Sequence, residues 1–136
     1  MVSAHTIKVV LVTPEKTLLD ADATSLRFPL EDGQIGILPN RAPMVGRLGS
    51  GELKIHAGNT DQYFFIEGGF CQVKGETVTI LTNRAIASSQ LNVAKLDEEL
   101  RKVEARPQDT LLQRQARTKE LERLKHMRAV ASHNRH

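Results

Sequence analysis

The 136-residue chain has no tryptophan, one tyrosine and a single cysteine. One cysteine excludes an intramolecular disulfide framework and fits a reducing compartment. Apolar stretches such as Val9-Val10-Leu11-Val12 fall far short of the ~20 residues a membrane-spanning helix needs. Met1-Val2-Ser3-Ala4-His5 lacks the basic start and apolar run of a signal peptide, so a soluble protein is expected, one able to sit beside a membrane within a complex. Aromatic residues stop at Phe70, which removes base stacking from the ways the remainder could grip a nucleic acid. The length suits one domain with a modest appendage.

Glycine is concentrated in one place. Residues 31–51 read EDGQIGILPNRAPMVGRLGSG, with five glycines and two prolines. A phosphate-binding loop needs Gly-Lys-Ser/Thr at the start of a helix, and this stretch has neither the lysine nor the helix. Gly33-x-x-Gly36 also lacks the spacing and βαβ frame of a dinucleotide fingerprint. The glycines are therefore read as turns. His5, His56, His126, His133 and His136 show no metal-ligand spacing, and His133 and His136 lie at a terminus expected to fray. Cys71, on a strand pattern without a base partner, reads as a small core residue. Glu31-Asp32 reads as a turn and Asp97-Glu98-Glu99 as a solvated helix face. Catalytic residues, metal and cofactor are all expected to be absent.

Two periodicities divide the chain. Over residues 1–87, short β-type runs alternate with turn residues: Ile7–Val12, Ser25–Phe28, Gly51–His56, Gln62–Ile66, Phe70–Val73 and Val78–Leu81. Gly68-Gly69 separates two of these runs. The pattern predicts an all-β sandwich or barrel. Over residues 88–136 the spacing becomes helical, with Val93, Leu96, Leu100 and Val103 on one face and Ser89 as a candidate N-cap. Arg106-Pro107-Gln108-Asp109 breaks the run. A second helix carries Arg117, Leu121, Leu124, Arg128 and Ala131 along one stripe. The expectation is a helical hairpin with helices at about 90–105 and 109–131, so the whole is α+β by content. The second stripe is only partly apolar, so that helix needs tertiary partners.

Charge follows the same division. Residues 1–87 hold eight Lys/Arg against nine Asp/Glu, whereas residues 88–136 hold eleven against seven. A locally basic helix seeks an acidic surface, either protein or nucleic acid. The nucleic-acid alternative is a free-standing sandwich whose hairpin tracks phosphates.

Taken together, Gly33-Gln34-Ile35-Gly36-Ile37-Leu38-Pro39-Asn40-Arg41-Ala42-Pro43, the strand Gly51–Ile55, Ile66-Glu67-Gly68-Gly69-Phe70-Cys71-Gln72-Val73 and Val78–Leu81 resemble the epsilon subunit family of the bacterial F-type ATP synthase. The resemblance extends to the order of parts, sandwich then hairpin. It implies a non-catalytic rotor subunit of the central stalk, peripheral on the cytoplasmic face of the bacterial inner membrane, that couples proton translocation to ATP synthesis. Implied partners are the gamma subunit, the ring of c subunits and, through the hairpin, the beta and alpha subunits; nucleic acid is not among them. Gln34, Gly36 and Arg41 match positions facing the c-ring, with Gln34 and Arg41 departing from the family's usual acidic residue and histidine. Arg114, Arg117, Arg123 and Arg128 match the helix that meets an acidic loop of beta and restrains ATP hydrolysis. Some relatives bind ATP through Ile/Leu-Asp-x-x-Arg-Ala opening the first helix. The corresponding Leu91, Asn92 and Lys95 depart from that motif, and the following alanine is Leu96, which argues against ATP sensing.

Overall fold

The structure, a computed structural model, describes residues 6–133. Eight strands come first: β1 (Ile7–Val12), β2 (Thr17–Ala23), β3 (Ser25–Leu30), β4 (Gly33–Ile37), β5 (Met44–Arg47), β6 (Ser50–Ala57), β7 (Thr60–Lys74) and β8 (Thr77–Ala87). Hydrogen bonding runs in the order β2-β1-β8-β7-β6-β3-β4, with β5 also on β7. All pairings are antiparallel except β1 with β8, which runs parallel from Lys8↔Thr77 to Val12↔Leu81. The result is an eight-stranded β-sandwich. Period-two alternation supplies its filling: Val9, Leu11, Leu26, Phe28, Ile37, Leu53, Ile55, Ile66, Val78 and Ile80 are buried in one cluster between the layers.

The layers are joined by strands that bend rather than stop. β5 and β6 follow β7 in one unbroken register, from Met44↔Val73 through Arg47↔Phe70 and on to Ser50↔Glu67 and Ala57↔Thr60. Across the gap the Leu48 amide donates to the Gly69 carbonyl at 2.8 Å, and the Gly68 amide donates to that of Gly49 at 3.1 Å. Gly68-Gly69, which reads in sequence as a boundary between two strands, is instead a bend within one 15-residue strand. Gly69 has φ +107°, and a Cβ there would lie 2.0 Å from the Leu81 carbonyl oxygen. The buried Thr82 hydroxyl ties the corner together, 2.8 Å from the carbonyl of Gly68 and 3.2 Å from those of Glu67 and Arg84.

After a 3-10 turn at Ser88–Gln90 come α1 (Val93–Glu104) and α2 (Leu111–Ala131). The N-cap of α1 is Asn92, whose side chain accepts from the Lys95 amide at 3.0 Å; Ser89, the expected cap, lies in the preceding turn. Asn92 takes the role because Ser88–Gln90 is closed as its own turn by the Leu91 amide donating to Ser88 O. Thr110 and Gln113 form a reciprocal capping box at the start of α2. The hairpin lies against the outer face of the β6–β7 layer. Phe65 is wholly buried there among Leu96, Val103, Leu124, Met127, Val130 and Ala131. Leu124 and Ala131 belong to the expected stripe; Arg117 and Arg128 flank it, and Met127 and Val130 complete it.

Candidate functional site

Three surfaces emerge from this arrangement. The first is the seam between hairpin and sandwich. Arg123 Nε donates to Glu67 Oε2 at 2.6 Å, the two side chains being only 21% and 24% exposed. Its guanidinium also lies 5.9 Å from the Phe65 ring centroid. The hydrogen bond to Glu67 raises the Arg123 pKa above its ordinary value, against the opposing effect of burial. Arg128 forms an ion pair across the hairpin, Nε to Asp97 Oδ1 at 2.5 Å, and this bond holds the Asp97 carboxyl below its usual 3.8. Arg117 donates to the Glu104 carbonyl at 3.1 Å, and Arg114 donates to that of Gln108 at 3.1 Å. Each of the four arginines singled out in the sequence thus has an acceptor within the chain.

The seam ends at His133. Its ring stacks on Tyr63, with centroids 3.6 Å apart and planes 5° from parallel, and its Nε2 lies 2.7 Å from Glu52 Oε1. His133, expected to fray, is anchored here because an aromatic platform and a carboxylate meet it from β7 and β6; His136 and His5 lie outside the described residues. Nearby, His56 Nδ1 lies 2.5 Å from Asp61 Oδ1 and lowers the Asp61 pKa, while burial raises that of Tyr63. None of Glu67, Tyr63 or His133 was singled out in the sequence as a functional residue. Their partners are more than fifty residues away, and no local spacing signals them.

The second surface is the β4 edge. Gln34 and Gly36 lie on β4 itself, exposed, opposite Pro29 and Arg27 of β3, and Arg41 is exposed in the loop that follows. Gln34 also lines a cleft of about 450 Å³ with Pro29, Glu31, Glu52, His126 and Ala129, so this edge borders α2. Arg41 is set against Met44, with Nη2 3.8 Å from its sulfur.

The third surface was not foreseen. On the outer face of the other layer, Val12, Leu81, Phe70 and Arg47 form one cross-strand row, with Val45 two residues from Arg47 on the same face. Val45, Phe70 and Leu81 are 71%, 51% and 47% exposed. Directly beneath, Leu11, Ile80 and Cys71 are buried, and burial pushes the Cys71 thiol pKa up, as suits a core residue. The hairpin covers one outer face of the sandwich, and this apolar row is exposed on the other.

At the start of α1, Leu91 is half-buried, Asn92 is occupied as the helix cap, and Lys95 points its backbone amide at that cap. Among the described residues there is no cluster of His, Cys, Asp and Glu able to hold a metal ion, and no helix is long and apolar enough to cross a membrane.

Residues 6–88 match the family described as ATP synthase, Delta/Epsilon chain, beta-sandwich domain. The ATP synthase epsilon chain of Leptospira borgpetersenii is 39% identical over 101 residues, which span 74% of this chain and 80% of that one. That of Rhodopirellula baltica is 45% identical over 80 residues, 59% of this chain and 62% of the relative. A chain in the Euglena gracilis mitochondrial ATP synthase structure (OSCP, F1 and c-ring) shares the fold with a TM-score of 0.84 at 22% identity, covering 95% of this chain and 82% of that one. None of these similarities favours the nucleic-acid reading, and the arginines that suggested it are engaged within the chain. With its sandwich and two-helix hairpin, the chain belongs to the family of ATP synthase epsilon chains, non-catalytic subunits of that complex.

Proposed function

We propose that this chain is a rotor subunit of the central stalk that joins the gamma subunit to the c-ring, and that its hairpin restrains ATP hydrolysis when it leaves the sandwich. The observation that carries the reading is the asymmetry of the two outer faces. One is sealed by α1 and α2, while the other exposes Val45, Phe70 and Leu81 around Arg47. An apolar patch left open on a sheet face suits a protein partner. We assign it to gamma.

The β4 edge with Gln34, Gly36 and the Arg41 loop then faces the c-ring, presenting hydrogen-bonding groups and a planar cation to polar loops. The hairpin arginines Arg114, Arg117, Arg123 and Arg128 are the groups that meet an acidic surface of beta. The chain sits peripherally at the cytoplasmic face of a bacterial membrane through these partners and couples proton flow to synthesis by transmitting rotation. No nucleotide is assigned to Leu91, Asn92 and Lys95, because the asparagine oxygen already serves the helix cap.

A pull-down with a gamma homologue, followed by ATPase assay of the reconstituted catalytic head, tests this reading. Wild-type chain is expected to bind, and Phe70→Asp to lose binding while remaining folded. Removal of residues 88–136 is expected to keep assembly and raise hydrolysis. Failure of the wild-type chain to bind gamma overturns the rotor assignment; unchanged hydrolysis after the deletion overturns the restraint.

A further inference from the structure

The four hairpin arginines are not equivalent. Arg114 and Arg117 donate to carbonyls of Gln108 and Glu104, and Arg128 pairs with Asp97; all of these acceptors lie within the hairpin. Separation from the sandwich by itself breaks none of those bonds. Arg123 alone among the four reaches across the seam, to Glu67 on β7. Lifting therefore removes a partner from one arginine only.

Glu67 is placed for this role by the sheet. It is the last residue of β7 before the Gly68-Gly69 bend, and its neighbours on β6 and β8 are Ser50 and Arg84. It points outward with Tyr63 and Phe65, the three alternating along the strand. The partly buried, hydrogen-bonded ion pair stands beside Phe65, at the edge of the hairpin's apolar footing. Glu120, one turn before Arg123 on α2, lies 3.5 Å from its Nη1 and stays with it in either position.

We propose that Glu67 is an internal acidic acceptor that competes for Arg123 with an acidic surface on a partner subunit, and so gates release of the hairpin. The partner half of the proposal rests on the restraint reading given above; the gate half concerns the chain alone. The sandwich carboxylate holds the arginine until an external carboxylate replaces it. Arg114, Arg117 and Arg128 have no acceptor on the sandwich, so separation from it leaves their own bonds untouched.

The test uses the full chain. Spin labels at Asn59→Cys and Lys125→Cys report the separation of α2 from the β6–β7 turn, since the buried Cys71 is shielded from the reagent. Glu67→Gln is expected to raise the released-to-docked ratio roughly fivefold or more, the usual scale for loss of a partly buried charged hydrogen bond. Arg123→Gln is expected to do at least as much, since it also takes the guanidinium from above Phe65, and the double variant to go no further than Arg123→Gln, because the Glu67 bond is already lost in it. An unchanged distance distribution in Glu67→Gln, or additive shifts in the double variant, overturns the gate. In the reconstituted complex the two single variants are expected to diverge. Glu67→Gln, with Arg123 free, deepens inhibition of hydrolysis; Arg123→Gln, released but lacking the cation, does not. Equal ATPase in the two single variants, despite shifted distances, overturns the competition for a partner and leaves Glu67 as a tether within the chain; the restraint reading falls separately, if removal of residues 88–136 leaves hydrolysis unchanged.

Discussion

Gly69→Ala is expected to be among the most damaging small substitutions in the sandwich, and the reason can be worked from the bend. An alanine Cβ built there would sit 2.0 Å from the Leu81 oxygen and 2.8 Å from the Thr82 Cα. Carbon and oxygen approach no closer than about 3.3 Å even in favourable weak contacts, so β7 and β8 must part by more than an ångström. That separation strains the Leu48-to-Gly69 bond and the Thr82 hydroxyl's bond to Gly68, each contributing about 1 kcal/mol. Holding a non-glycine residue near φ +107° adds roughly 1–3 kcal/mol. The sum is about 3–5 kcal/mol, a large share of the ~5–15 kcal/mol typical of a whole domain. The control is Gly75→Ala in the β7–β8 turn, at φ +60° with open space around it, where about 1 kcal/mol is expected. Urea unfolding followed by circular dichroism measures both. If Gly69→Ala shifts the midpoint no more than Gly75→Ala, the close approach of β7 and β8 at this corner is wrong.

Three further outcomes are expected. His133→Ala removes the stack on Tyr63 and the contact with Glu52, so hydrogen exchange at Val130–Ser132 should quicken, at a local cost of about 1 kcal/mol, while exchange in β1 and β8 stays unchanged. Leu124→Ala empties a fully buried position beneath the hairpin, and about 2–5 kcal/mol of docking should be lost with the sandwich core intact. Differential scanning calorimetry should then resolve two transitions; a single transition at an unchanged temperature would contradict the separate hairpin core. The Asp97–Arg128 pair predicts acid sensitivity. Its carboxyl pKa lies below 3.8 in the folded chain, so its contribution is present above that value and fades as pH falls through the lowered one. Wild-type α1–α2 packing should loosen in that acid range, measured by exchange in α1, and the pH dependence should flatten in Asp97→Asn.

The sequence made some parts of this architecture plain and concealed others for physical reasons. Gly51–His56 alternates strictly because β6 buries Gly51, Leu53 and Ile55 and turns Glu52, Lys54 and His56 outward. Val93, Leu96, Leu100 and Val103 mark α1 because a single face meets the hairpin core. β2 left no comparable trace: Thr17–Ala23 lies at the edge of the sheet with Asp20 and Asp22 exposed, so burial imposes little pattern on it. β4 is masked by Gly33 and Gly36, and its extended form is set by pairing with β3 rather than by its own propensity. The sequence stripe on α2 joins Leu121, Leu124 and Ala131 with Arg117 and Arg128, whereas the buried line takes in Met127 and Val130 in place of the two arginines. Flanking arginines share the apolar spacing because they reach across to acceptors beside the core. Glu67 and His133 could be recognised only once distant strands and the last helical turn had been brought together.

The parallel pairing of β1 with β8 bears on how the chain reaches this state. Residues joined from Lys8↔Thr77 to Val12↔Leu81 enclose nearly the entire sandwich sequence, and loops of that length close slowly. During synthesis β1 emerges with only β2 as a nearby partner, and its second edge stays unpaired until β8 follows. An unpaired edge is a template for mispairing with other nascent chains, and Lys8 and Asp20, charged and exposed on that early hairpin, oppose it. The hairpin helices leave the ribosome after all eight strands, when every partner needed to close the sheet has been made. Closure of the sheet and docking of the helices rest on two separate apolar clusters, so the strands' pairing does not depend on the helices being in place.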